Sequence, residues 1–206
     1  MQKLEKKQNK INSILDVSLS LFAQKGFNGT SVADIAEKAG IGKGTIYEYF
    51  NSKQEIFINL IERWTGKANE NLNEILKKIR NPEEKLKAII NWNIDWLNSL
   101  ESDISKIFLE VINQTITEGG VFFENREIMD EMCSGIRGKI RDTILEGVSD
   151  GVFIPSIAKH AEKISLNISA YLDGTGLYFL MNKPSADEHK ELTSHFLKGL
   201  LKSLKN

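Results

Sequence analysis

Residues 25–57 read KGFNGTSVADIAEKAGIGKGTIYEYFNSKQEIF, and the spacing within this segment predicts two short helices joined by a tight turn. The first helix is expected over residues 32–39, where apolar side chains share one face behind hydroxyl residues that can cap its start. The second is expected over residues 43–50, where Ile46 and Phe50 stand four positions apart and share a face. Glycines between the two segments form the turn. This combination predicts a helix-turn-helix.

The segments on either side of this motif predict longer helices. Upstream, an amphipathic helix is expected to reach residue 25, where Gly26 can adopt the left-handed conformation that ends a helix. Its apolar face consists of Ile11, Ile14, Leu15, Leu21 and Phe22. Downstream, Ser52 and Glu55 have the spacing of a capping box, which predicts the start of a long helix ending near Pro82.

The rest of the chain keeps the helical pattern and shows no alternation of apolar and polar residues that would indicate a sheet. Further helices are expected over residues 83–101, 103–118, 123–149, 157–181 and 187–204. We therefore predict an all-α fold, with an N-terminal three-helix helix-turn-helix domain at 1–53 and a C-terminal helical bundle at 54–206.

Charge is distributed unevenly between these two parts. The whole chain has a net charge of -1, but residues 1–53 carry eight lysines against five acidic residues, while residues 54–206 carry 19 basic and 23 acidic residues. A basic front attached to an acidic body is typical of a DNA-contacting module. A lysine-rich terminus that is simply solvated would give the same asymmetry.

The second short helix has the residue types that a recognition helix needs. Glycine lets the backbone approach DNA closely, threonine is short enough to touch a thymine methyl or a base edge, and tyrosine hydroxyls can reach phosphates. Lysines at either end add positive charge. The residues with these properties are Lys43, Gly44, Thr45, Tyr47, Tyr49 and Lys53.

Taken together, residues 25–57 resemble the DNA-binding signature of the TetR family of repressors. The resemblance covers about a sixth of the chain, and it implies a ligand-responsive repressor that binds double-stranded operator DNA. It also implies roles for particular residues: phosphate contacts by Thr30 or Ser31 and by Tyr47, Tyr49 and Lys53, with Lys43, Gly44 and Thr45 close to the bases.

Glu48 departs from the pattern of the family, because it places an acidic side chain where members often present a residue to the DNA. It either accepts a hydrogen bond from a cytosine amino group or points away from the DNA. Both alternatives leave DNA binding intact and affect only the operator sequence.

Catalytic, cofactor and metal sites are not predicted. The glycines around Lys43 do not have the spacing of a Walker loop or of a dinucleotide fingerprint. Cys133 is the only cysteine and is expected to be buried, and the three histidines lack partners at metal-ligand spacing. We predict a protein that is not an enzyme and has no cofactor. A helical adaptor that binds only proteins is the alternative to a repressor.

The family resemblance implies an effector cavity within the helices between about 54 and 181. Asn93 interrupts the apolar stripe of its predicted helix, and a polar group there must find a partner or face a cavity. Candidate neighbours that would give mostly apolar walls are Trp96, Phe108, Val111, Met132, Ile136, Ile168 and Tyr171. The alternative is that these residues are ordinary core.

The last two predicted helices, 157–181 and 187–204, are apolar around too much of their circumference for one buried face. A homodimer with a four-helix interface would account for this pattern, and so would a central position in the chain's own domain. A dimer would address a roughly palindromic operator. Because the chain opens on charged residues and has no long apolar run, we expect it in the cytoplasm and away from the membrane.

Overall fold

The computed structural model describes residues 2–98, 102–182 and 185–205, and within these ranges every regular element is a helix. The helices are α1 (Gln2–Lys25), α2 (Val32–Lys38), α3 (Lys43–Tyr47), α4 (Lys53–Leu76), α5 (Pro82–Asn98), α6 (Ser102–Ile116), α7 (Val121–Glu124), α8 (Arg126–Ser149), a 3-10 helix (Pro155–His160), α9 (Ala161–Asn182) and α10 (Ala186–Lys205). The predicted all-α fold is confirmed. The predicted end of a helix at 101 lies outside the described residues.

Several helix boundaries differ from the predictions for local reasons. The helix predicted over 123–149 is broken at Asn125, whose backbone is not helical (φ -128°, ψ 56°) and whose side-chain amide donates to the Val121 carbonyl at 2.7 Å. The segment after Pro155 winds first as a 3-10 helix. Helix α3 stops at Tyr47, before the predicted end at residue 50, and α4 ends at Leu76, before Pro82.

The capping predictions hold in part. Gly26 has a φ of +70°, the left-handed conformation expected of a residue that ends a helix. Ser52 accepts the backbone N–H of Glu55 at 3.1 Å, as a capping box requires. The reciprocal bond was predicted wrongly, because the Glu55 carboxylate accepts from the backbone and side-chain N–H groups of Asn51.

The chain packs as two compact units, residues 1–66 with 100–130 and residues 67–99 with 131–206. The unit that contains the helix-turn-helix therefore also includes residues 54–66 and 100–130, beyond the predicted division at residue 53.

Four phenylalanines form the centre of the first unit. Phe22 of α1 and Phe57 of α4 meet edge to face at 5.1 Å, and Phe27 lies 5.2 Å from Phe57 and 5.8 Å from Phe22. Phe122 of α7 extends the cluster at 5.8 Å from Phe57. Each of these side chains is almost fully buried, which stabilises the fold by about 1.5–3 kcal/mol per side chain. The cluster fixes the loop after α1, and so the start of the helix-turn-helix.

The core of the second unit is mainly aliphatic, with Trp92 and Phe153 as buried aromatic side chains. It contains the buried side chains Leu72, Leu86, Ile89, Ile90, Ile140, Ile144, Ile168 and Leu172. Cys133, which was expected to be buried, is exposed on α8. None of the helices in the described residues combines the length and the apolar character needed to cross a membrane.

Candidate functional sites

The start of α2 separates the two hydroxyl residues that were predicted as equivalent caps. Ser31 is the N-cap: its hydroxyl accepts from Asp34 N at 3.1 Å, and Asp34 Oδ2 accepts from Ser31 N at 2.8 Å. Thr30 is buried instead, and its hydroxyl donates to the Gly26 carbonyl at 2.8 Å. Hydrogen bonds from Ser31, followed by that from Lys25, hold the pKa of Asp34 well below its usual range. Ser31 is exposed, so it is the residue of the pair that a DNA phosphate can approach. Its hydroxyl donates to Asp34 Oδ2, and a contact with phosphate requires that bond to be exchanged.

Helix α3 has one face in the core and one face in solvent. Ile46 is completely buried, and Phe50, in the turn that follows, is buried with it, as their spacing predicted. Lys43, Gly44 and Glu48 are exposed, Tyr47 is 48% exposed, and Thr45 and Tyr49 are half-buried. The exposed face of this short helix presents an ammonium, a bare stretch of backbone and a phenol, the groups that were predicted to meet DNA.

Gly44 is not required by the packing of the protein itself. A Cβ built on this residue would meet no atom within 4 Å, and its φ is not positive. The absence of a side chain therefore leaves open space above the backbone of α3, through which another molecule can approach.

Lys53, predicted only as a phosphate contact, is bonded within the protein. Its Nζ donates to the Phe27 carbonyl at 2.7 Å and to the Thr30 carbonyl at 2.8 Å, and lies 4.3 Å from the centre of the Phe27 ring. Burial lowers the pKa of Lys53, while the negative charge of Glu110 acts in the opposite direction. The first residue of α4 thus holds the loop that leads into α2.

Glu110 and Gln114 of α6 extend this arrangement, and neither was predicted. Gln114 is buried; it donates to Glu110 Oε1 at 2.9 Å and accepts from Val121 N at 2.9 Å. Helix α6 packs along α1, and a Cβ on Gly26 would lie 3.3 Å from Glu110 Oε2. Glu110 and Gln114 stand four residues apart and so share a face of the helix, which was the signal in the sequence that could have identified this network.

The residues proposed to line an effector cavity fall in both units. Trp96, Ile136, Ile168 and Tyr171 belong to the aliphatic core of the second unit or pack against it. Asn93 lies in the same unit, and its Oδ1 is buried without a hydrogen-bond partner among the described residues. Met132 is half-buried in α8. Phe108 and Val111 lie on α6, in the first unit.

Helices α9 and α10 present a large apolar surface to solvent within the second unit. Its large side chains are Leu166, Leu177, Tyr178, Met181 and Leu192, of which Met181 is 72% exposed. An open groove of about 590 Å³ lies beside them and is lined by Tyr178, Glu188, Glu191, Leu192, Ser194, His195 and Lys198. Several large exposed apolar side chains on two successive helices are typical of an interface with another molecule.

Comparison with known proteins agrees with this geometry. Residues 14–60 match the family model of the bacterial regulatory proteins of the tetR family. The chain is 30% identical over 146 residues to the HTH-type transcriptional regulator YhgD of Bacillus subtilis, covering 69% of this chain and 71% of that protein. It is 26% identical to the fatty acid metabolism regulator protein of the same organism, over 72% of this chain and 73% of that protein.

The fold is also similar to that of the transcriptional regulator FadR from Bacillus subtilis, solved in complex with stearoyl-CoA. The TM-score is 0.76 at 23% identity, over 92% of this chain and 96% of FadR. The N-terminal match, the similarity along most of the chain and the solvent-facing α3 lead to one conclusion: the chain belongs to the TetR family and is a helix-turn-helix regulator of transcription.

Proposed function

We propose that the protein is a repressor that binds operator DNA through α2 and α3 and is released by a small-molecule effector. The observation that carries the DNA-binding part is the exposed face of α3, which has open space above Gly44. In this proposal residues 1–53 bind the DNA, while residues 54–206 bind the effector and a second copy of the chain.

The predicted DNA contacts are assigned by what each side chain has free. Lys43, Gly44 and Thr45 lie next to base edges, and Ser31, Tyr47 and Tyr49 bind phosphates. Lys53 uses two of its three N–H donors internally and keeps one for a phosphate. Thr30 contributes by fixing the loop, because its hydroxyl is buried. Glu48 is exposed beside Tyr47, where it can accept from a cytosine amino group.

Dimerisation is assigned to α9 and α10, the helices predicted at 157–181 and 187–204. Their exposed apolar side chains would be buried against the same surface of a second copy, which gives a four-helix interface and a roughly palindromic operator. Leu177→Glu would place a charge in that interface. Sedimentation should then show a dimer for the unchanged protein and a monomer for this variant; a monomer at micromolar concentration before substitution contradicts the assignment.

The effector is proposed to be a molecule with a long acyl chain. Relatives of this chain include a fatty acid metabolism regulator and a protein solved with stearoyl-CoA. The second unit supplies a large apolar core, which suits an acyl chain. Beside it, Asn93 Oδ1 is a buried acceptor that has no donor among the described residues. Of the predicted cavity residues, Asn93, Trp96, Met132, Ile136, Ile168 and Tyr171 belong to this unit.

Operator binding is tested by enriching bound duplexes from a random library and titrating the selected duplex by fluorescence anisotropy. Lys43→Ala should weaken binding and reduce the slope of log K against log salt by about one. Tyr47→Phe, which removes one hydroxyl, should weaken binding about fivefold. Lys159→Ala, an exposed lysine of the second unit, is the matched control and should change neither quantity.

Two results would contradict the proposal. If the affinity for the duplex changes neither with salt nor with the two substitutions in α3, the adaptor alternative is favoured, because an adaptor requires no contact with the duplex. A complex with DNA that stearoyl-CoA and shorter acyl thioesters fail to dissociate at any concentration below their solubility limit would exclude this effector class.

A further inference from the structure

A half-buried lysine in the second unit has no carboxylate partner. Lys139 of α8 donates from Nζ to Asn69 Oδ1 at 3.0 Å and to the Gly135 carbonyl at 3.3 Å, both of which are neutral acceptors. Among the described residues it forms no ion pair, and burial, with no counteracting negative charge, lowers the pKa of Lys139. A desolvated charge without a partner is costly, so this site favours an anion from outside the chain.

The Asn69 amide, which binds Lys139, packs directly against Gly135 of α8. A Cβ on Gly135 would lie 2.8 Å from Asn69 Nδ2 and 2.9 Å from Asn69 Oδ1, so any other residue at 135 would displace this amide. Because the Asn69 amide lies against α8, its oxygen accepts a hydrogen bond from Lys139. Its nitrogen has no acceptor among the described residues. The site thus offers one ammonium N–H and two amide N–H groups, which are donors only.

Apolar residues adjoin these donors along both helices. Ala68 and Leu72 are close to Asn69 on α4, and Ile136 and Ile140 neighbour Lys139 on α8; all four belong to the aliphatic core or pack against it. A ligand held here would place its charged end at the donors and an apolar chain against Ala68 and Ile136, which are only partly buried.

We propose that Lys139 and Asn69 bind the anionic end of an amphiphilic effector, a carboxylate or a phosphate joined to an apolar chain. The proposal rests on the acyl-chain effector of the proposed function and adds the group that recognises its charge. A charge-assisted hydrogen bond from a partly desolvated ammonium is stronger than a neutral one, so charge on the ligand should determine affinity.

The test measures binding of stearate, stearoyl-CoA and the neutral analogue octadecanol to the full chain, by quenching of tryptophan fluorescence and by calorimetry. Lys139→Met keeps the length of the side chain and removes its charge. It should weaken binding of the anions by about ten- to a hundredfold and leave octadecanol unchanged. Lys139→Arg should retain most of the affinity. Lys163→Met, an exposed lysine of the same unit, is the control and should bind all three as the unchanged protein does.

A second variant covers the case in which Lys139→Met fails to fold. Asn69→Asp supplies an internal carboxylate beside Lys139, so it should compete with the anion and abolish anion binding while raising the melting temperature. If either variant binds stearate more weakly, the bound group is the carboxylate; if it binds stearoyl-CoA more weakly, the bound groups are the phosphates. Either loss supports the proposal.

The outcomes separate this proposal from the one on which it rests. If the unchanged protein binds stearate or stearoyl-CoA and both variants bind as tightly, the anchor is wrong and the acyl effector stands. If a variant loses affinity for octadecanol and for the anions equally, the proposed role of Lys139 and Asn69 is also wrong, because such a loss does not depend on the charge of the ligand. If the unchanged protein binds none of the three ligands, both proposals fall.

Discussion

Lys53 Nζ lies 2.7 Å from the carbonyl oxygen of Phe27, a residue 26 positions earlier in the chain, and its charge sits over the ring of the same residue. The ammonium thus connects the start of α4 to the loop between α1 and α2. Since this loop leads directly into the helix-turn-helix, one side chain links the folding of the DNA-binding segment to the helix that follows it.

Substitution of Lys53 should separate its internal role from its proposed contact with DNA. Lys53→Met removes both bonds to carbonyl groups and should lower the free energy of unfolding by about 1–3 kcal/mol. If Lys53 also binds a phosphate, operator affinity should fall for every sequence and the salt slope by about one. Urea denaturation measures the first effect and anisotropy titrations the second. An unchanged salt slope in a folded variant would leave Lys53 with its internal role alone.

Two glycines provide a matched pair for testing the end of α1. Gly26→Ala should destabilise the protein by about 1–2 kcal/mol, because its φ of +70° disfavours a side chain and the new Cβ would press on Glu110. Gly138→Ala lies inside α8 with open space around it and should stabilise by about 0.5–1 kcal/mol. Thermal unfolding of both variants measures the difference. Two changes of the same sign would contradict this account.

Asn93 should cost stability in the free protein. Its Oδ1 is buried without a partner among the described residues, so Asn93→Leu should raise the free energy of unfolding by about 1 kcal/mol while weakening effector binding. Asn91→Leu, on the exposed side of the same helix, should change neither quantity appreciably. Loss of stability in Asn93→Leu would mean that the amide has a structural partner and is not available to an effector.

His189 should make the stability of the protein fall in mild acid. Its side chain is buried against Phe179, with ring centres 5.1 Å apart, and neither ring nitrogen has a partner among the described residues. Burial lowers the pKa of His189, so below pH of about 6.5 the unfolded chain binds a proton that the folded protein does not. The free energy of unfolding then decreases by up to about 1.4 kcal/mol for each pH unit until the folded pKa is reached.

His189→Phe keeps an aromatic ring against Phe179 and should remove this loss between pH 7.5 and 5.5, as followed by urea midpoints. His160→Phe, at an exposed histidine, should retain the behaviour of the unchanged protein. The same acid sensitivity in both variants would show that another group is responsible.

The helix-turn-helix could be predicted from the sequence because its signals are local. Ser31 caps the residue three positions later, Gly26 ends a helix by its own conformation, and Ile46 and Phe50 face the core because of their spacing. The break at Asn125 was missed because it depends on a hydrogen bond from this side chain to the backbone carbonyl of Val121. Hydrophobic periodicity does not reveal such side-chain-to-backbone bonds.

Interactions between distant segments could not be predicted. Lys53 was assigned only to phosphates. Its internal role was missed because its partners are carbonyl oxygens, which every residue has and no pattern marks. Lys139 gave no signal either, since its partners are an amide from another helix and a backbone carbonyl. Asn93 was the exception, because a polar residue inside an apolar stripe already indicates an unsatisfied group.

The open space above Gly44 has a consequence for how the protein diversifies. A Cβ on residue 44 would meet no atom within 4 Å, and most residues favour a helix more than glycine does. Replacements there should therefore leave the free protein folded while altering the surface it offers to DNA. If DNA approaches this position as proposed, a side chain at residue 44 should therefore change which operators are bound without unfolding the chain.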